Sequence, residues 1–136
     1  MRYIADIDVH WNMIEPWIAR CLKETGREDK FTVQWVMEQL LTDQMQLFIV
    51  GDDDGIVITE RMEYPTGLCI LDGWSVCGDN MDDWIADCVR DLKIFALANG
   101  CSGLCLQGRP GWVKILKKYG TDKVIKEALI YVEYES

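Results

Sequence analysis

The chain has one histidine, His10, and that scarcity removes most familiar catalytic and metal-binding arrangements at the outset. A lone imidazole with no serine or cysteine at a recognisable spacing makes no triad. Beside a helix start it reads as a surface or capping residue. Long apolar runs are missing too, so no segment is expected to span a membrane. The opening MRYIADIDVH carries acids and no apolar stretch, and does not read as a secretory signal. Positive charge is the scarcer sign, with 14 Lys and Arg against 23 Asp and Glu and a net charge of −9. That balance opposes nucleic-acid binding, which requires cations to displace phosphate counterions. It serves solubility, and would suit a basic protein partner. No C-x-x-C pair occurs among Cys21, Cys69, Cys77, Cys88, Cys101 and Cys105, so a zinc site is not expected.

With neither a signal nor a span read in the sequence, the chain is expected to stay in the cytoplasm of the cell that makes it. Thiols there stay reduced, so the six cysteines are expected to be free and mostly buried as small apolar side chains. Cys101 and Cys105, four apart on an expected strand, would share a face.

What is present is enough apolar residue, 49% of the chain, to fold 136 residues as one domain burying about two-thirds of its unfolded surface. The clearest periodicity lies at 82–99. Trp84, Ile85, Cys88, Val89, Leu92, Phe95 and Ala96 recur at helical steps, opposite Asp83, Asp87, Arg90 and Asp91. Asn99-Gly100 supplies the stop. With strands expected at 68–76 and from Ser102, this helix makes a βαβ-like unit of parallel strands that diverge at their ends.

Upstream, a first strand is expected at 2–7, with Asp8 as a cap. A helical stripe follows at Trp11, Ile14, Trp17, Ile18, Cys21 and Leu22, kinked at or starting from Pro16. Thr32 caps a second helix over 33–42. Strands at 46–50 and 56–62 flank the turn Asp52-Asp53-Asp54-Gly55 as a hairpin. The consecutive acids of that turn lack the alternate spacing and final glutamate of a calcium loop. Residues 122–134 read as one or two closing strands. The class is α/β, or α+β, with a central twisted, mixed but mostly antiparallel sheet flanked by about four helices.

The order of elements, with Gly108-Arg109-Pro110-Gly111-Trp112-Val113-Lys114 and then Leu116-Lys117-Lys118-Tyr119-Gly120, resembles the GNAT (Gcn5-related N-acetyltransferase) fold. It is similar in particular to small GNAT-like proteins of bacteriophages, in which a G-R-x-G-W segment opens the last helix. The resemblance implies acetyl-CoA as the cofactor of any activity, held near Val76, Gly78 and Arg109, with Asp72 as the candidate general base.

The sequence departs from the family at the points that matter. The family's Q/R-x-x-G-x-G/A loop holds pyrophosphate on free N–H groups at a helix start. Here the corresponding stretch is Cys77-Gly78-Asp79-Asn80-Met81-Asp82-Asp83-Trp84, with Gly78 the sole glycine. Asp79, Asp82 and Asp83 would cap the helix from within and repel phosphate. The position of the thiolate-protonating tyrosine, four before Gly120, is Leu116, and Tyr119 projects elsewhere. Arg109 reads as an anion clamp, or as the partner of Asp79 or Asp82. The expectation is therefore a phage module without a cofactor, binding a virion component or a host protein in the host cytoplasm or the virion. The alternative is an acetyl-CoA-dependent N-acetyltransferase with an atypical loop.

Overall fold

Alternating apolar residues in the strands Gln46–Val50 and Gly55–Glu63 point to both faces of a sheet, and both faces are covered. In the computed structural model, which describes residues 1–108 and 129–134, the elements are β1 (Arg2–Tyr3), α1 (Ile7–Glu24), α2 (Val33–Leu41), β2 (Gln46–Val50), β3 (Gly55–Glu63), β4 (Cys69–Gly78), α3 (Met81–Ala98), β5 (Gly103–Gly108) and β6 (Leu129–Tyr134). One six-stranded sheet runs in the order β1-β2-β3-β4-β5-β6. The pairings from β1 to β4 are antiparallel, and those of β4 with β5 and β5 with β6 are parallel.

On one face Phe48, Val50, Val57, Leu71, Val76 and Leu104 meet the α3 stripe of Trp84, Ile85, Cys88, Val89, Leu92 and Ala96. On the other, Leu47, Ile49, Ile56, Ile58, Trp74 and Cys77 meet Ile14, Ile18, Cys21 and Leu22 of α1 with Val36 and Leu40 of α2. Strands covered on both sides read as near-continuous apolar runs, as in QLFIV and GIVIT.

Several expectations change. The first strand shortens to two residues, and α1 starts at Ile7. Pro16 does not start a helix of its own; α1 is continuous through it. A mid-helix proline costs about 3 kcal/mol. Burial of Ile14, Ile18 and Leu22, at about 1.5–3 kcal/mol each, exceeds that cost. His10 places Nδ1 3.0 Å from the Asp6 carbonyl at the helix start, and Asp6 rather than Asp8 is the N-cap residue. Three helices lie among the described residues. The last expected helix, opened by Gly108-Arg109, lies outside them. The closing strand is Leu129–Tyr134, parallel to β5.

Thr32 caps α2 as expected, its Oγ1 accepting from the Trp35 N–H at 3.0 Å. Thr32→Ala should lower stability by about 1 kcal/mol, read as a lower urea midpoint at unchanged m-value.

The expectation of six free thiols is overturned. Cys21 on α1 and Cys77 on β4 form a disulfide, with Cα atoms 5.7 Å apart, inside the range a disulfide spans. Both face the same core, so the sheet-to-helix contact itself brings them together. Cys69, Cys88, Cys101 and Cys105 are buried and stand outside that bridge.

Candidate functional site

Of the residues singled out from the sequence, those that the structure describes lie along β4 and at its junction with α3. Glu60 of β3 stands opposite Asp72, but Ile58 stands opposite Ser75, so Gly73 and Trp74 together face Thr59. One extra residue in β4 is a β-bulge, which disrupts the ladder locally and re-aims the side chains beyond it. Cys69 and Leu71 point to the α3 side, whereas Cys77 points to the α1 side. The bulge is what turns Cys77 toward Cys21.

Asp72 is 3% exposed in the middle of β4, opposite Glu60 and beside Cys105 of β5. Burial pushes the Glu60 carboxyl above its ordinary range. β4 and β5 stay paired from Ile70–Gly103 to Gly73–Leu106, after which they no longer pair with each other, β4 continuing against β3 and β5 against β6. Val76 is a core residue on the α3 side.

Gly78 has a structural reason to be glycine. It pairs directly with Gly55, and a Cβ on it would sit 2.6 Å from the Asp54 carbonyl oxygen, 2.7 Å from the Gly55 Cα and 3.1 Å from the Trp84 ring. Arg109, Leu116 and Tyr119 lie outside the described residues. Gly78 and Val76 adjoin the start of α3; Asp72 lies deeper in the sheet on the same strand.

The α3 start differs from the expected self-capped helix. Asn80, in the left-handed region at φ 54°, is the N-cap residue, and no side chain caps the helix. Asp82 and Asp83 lie in the first turn, both exposed. Asp79 turns away to Arg20 on α1, whose Nη1 and Nη2 donate to its carboxylate at 3.0 and 2.6 Å. These hydrogen bonds hold the Asp79 carboxyl below its usual range. Asp79 is thus the partner of Arg20. Its backbone is tied as well: its N–H donates to the Asp54 carbonyl at 2.8 Å, and its carbonyl accepts from Trp84 Nε1 at 2.7 Å.

Reasoning from the sequence missed a second polar feature, against Trp74 of β4. Arg27, 1% exposed, follows Gly26, which takes φ 68° after α1. Its guanidinium lies 4.5 Å from the centre of the Trp74 ring, and its Nη1 donates to the Trp74 carbonyl. Phe31 and Trp35 complete an aromatic cluster around Trp74. Stacking on aromatic rings lets a guanidinium be buried at lower desolvation cost than an ammonium. A lone arginine after a helix-ending glycine gave no sign of this.

Among the described residues no three His, Cys, Asp or Glu side chains converge on a position that could hold a metal ion. No helix among them is long and apolar enough to cross a membrane. The chain matches no protein-family model, no curated protein and no solved structure.

Proposed function

We propose that the chain is a bacteriophage GNAT-like protein with a degenerate coenzyme A site, acting as a non-catalytic module that binds a virion component or a host protein. The βαβ arrangement supports the fold reading: β4 and β5 are parallel, joined through α3, and lose their pairing toward their C-terminal ends.

The observation that carries the loss of the cofactor site is the length and fixing of the β4–α3 connection. β4 ends at Gly78 and α3 begins at Met81, so Asp79 and Asn80 alone form the loop. Asp79 is held by Arg20 and Asp54, and Asn80 Nδ2 donates to Asp54 Oδ1 at 3.3 Å. A pyrophosphate would need that loop to open, and would then meet Asp82 and Asp83. Each like-charge pair at about 4 Å costs roughly 1 kcal/mol in water and about 4 kcal/mol near a protein surface. The burial of Asp72 supports the same reading, because a general base must reach the proton it takes.

One observation favours the alternative, an acetyl-CoA-dependent N-acetyltransferase. Arg20 neutralises Asp79 and puts a guanidinium next to the α3 start. Of the two places that the phage reading allows, host cytoplasm and virion, the Cys21–Cys77 disulfide supports the virion, since cytosolic thiols are kept reduced.

A thermal-shift titration with acetyl-CoA tests the reading. A bound ligand raises the apparent melting temperature once its concentration exceeds Kd. No rise is expected up to millimolar acetyl-CoA. A shift saturating in the micromolar range would reject the degenerate site and put the transferase in its place.

A further inference from the structure

On the α3 side of the sheet, away from the Cys21–Cys77 bridge, two further sulfurs meet. Cys69 Sγ and Cys101 Sγ are 2.9 Å apart, both inside the core packed against α3. That is roughly 0.9 Å beyond a covalent S–S bond of about 2.0 Å. The backbone holds both residues in place. Cys69, the first residue of β4, accepts at its carbonyl from the Ser102 N–H at 3.0 Å, and the Cys101 N–H donates to the Ala96 carbonyl at 2.8 Å. The next residues of the two segments enter the parallel ladder at Ile70–Gly103. The elements that carry the sulfurs are therefore already locked together.

We propose that Cys69 and Cys101 are a redox modification site, a buried dithiol that closes to a second disulfide by exchange with a small disulfide such as glutathione disulfide. One cysteine thiolate attacks a sulfur of glutathione disulfide, forming a mixed disulfide and expelling one glutathione thiolate. The second cysteine then attacks the protein sulfur of that mixed disulfide and expels the other. The two cysteine protons pass to the two departing glutathiones. The protein loses two electrons and glutathione disulfide gains them.

The surroundings set the rate. Cys69 is 4% and Cys101 2% exposed, and burial pushes the Cys101 thiol up to about 12. Arg61 works in the opposite direction. Its Nε donates to the Asn99 carbonyl at 2.9 Å, and its guanidinium charge favours the Cys101 thiolate without overcoming the burial. The turn beside the pair contains Gly100 at φ 74°. Closure is consequently slow, proceeding through opening of that turn, and the bridge once formed is protected from reductant. Cys88, pushed up to about 12 by burial within α3, is not one of the two paired sulfurs and takes no part in the exchange.

The test equilibrates the full chain, with Cys21–Cys77 intact, in excess glutathione disulfide. Acid quenching, unfolding, alkylation and non-reducing proteolysis then map the cysteines by mass spectrometry. A peptide linking Cys69 to Cys101 is expected, with Cys88 and Cys105 alkylated and the melting temperature raised by about 10 °C. Cys101→Ser should abolish both the link and the rise. Should that variant fail to fold, Cys69→Ala serves in its place, and mapping of the unmodified chain decides the matter without either. Cys69 and Cys101 both alkylated at equilibrium, or either one bridged to Cys88 or Cys105, would overturn the proposal.

Discussion

Replacing both Cys21 and Cys77 by alanine is expected to lower stability by about 4 kcal/mol and the melting temperature by about 10–15 °C. The two residues are 56 apart in sequence, and cross-linking ends so distant removes much of the unfolded chain's freedom. The loop-entropy relation gives about 4 kcal/mol for such a loop. Loss of two small buried side chains adds to the deficit, since both cysteines are 2% exposed. Chemical denaturation of the double variant beside the oxidised parent measures the difference. The parent unfolded in the presence of dithiothreitol should show most of the same loss, because the reductant removes the crosslink but not the side chains. Equal stability with and without reductant would mean that the bridge contributes nothing.

Gly78→Ala is expected to cost about 3 kcal/mol, at the upper end for overpacking, without any ligand being involved. The new Cβ meets backbone, the Asp54 carbonyl oxygen at 2.6 Å and the Gly55 Cα at 2.7 Å. Backbone cannot rotate aside as the end of a side chain can. The opposite strand would have to move, and with it the Asp79 N–H bond to Asp54 that fixes the β4–α3 connection. Gly55→Ala should behave alike, since its Cβ would approach the Cys77 carbonyl oxygen and the Gly78 Cα. Urea denaturation of each variant gives the cost. A glycine kept only to admit a cofactor would tolerate alanine with a change below about 0.5 kcal/mol, and that result would remove the close-approach argument.

Much of the fold was legible because its signals were local. The α3 stripe is helical by spacing alone, and its expected bounds at 82–99 differ by one residue from Met81–Ala98 at each end. The β2–β3 hairpin was legible from apolar runs around Asp52-Asp53-Asp54-Gly55. Its register, Val50 to Gly55, follows from that turn. A helix start at Pro16 was expected because proline's local cost is visible in the sequence, whereas the burial of Ile14 and Ile18 that carries α1 through it is tertiary.

The candidate site was less legible for a related reason. Asp79, Asp82 and Asp83 were read as caps because they sit beside a helix start. Asp79 instead finds Arg20, 59 residues away and on another element. The disulfide was hidden twice, by a compartment argument that favoured thiols and by side-chain alternation. Cys69 and Cys77 are both odd-numbered positions of one strand, and strict alternation puts them on the same face. The bulge at Gly73–Trp74 separates them, and nothing in the sequence other than an isolated glycine marks it.

That single extra residue also acts as an insulator. β4 carries one sulfur into the α3 core and the other into the α1 core, with the sheet between them. Without the bulge both would open onto one compartment, where sulfurs can shuffle among partners until the most stable pairing wins. With it, neither can attack the other's partner without the sheet coming apart. The two sulfur pairs therefore keep separate accounts of oxidation, so either can change state while the other holds.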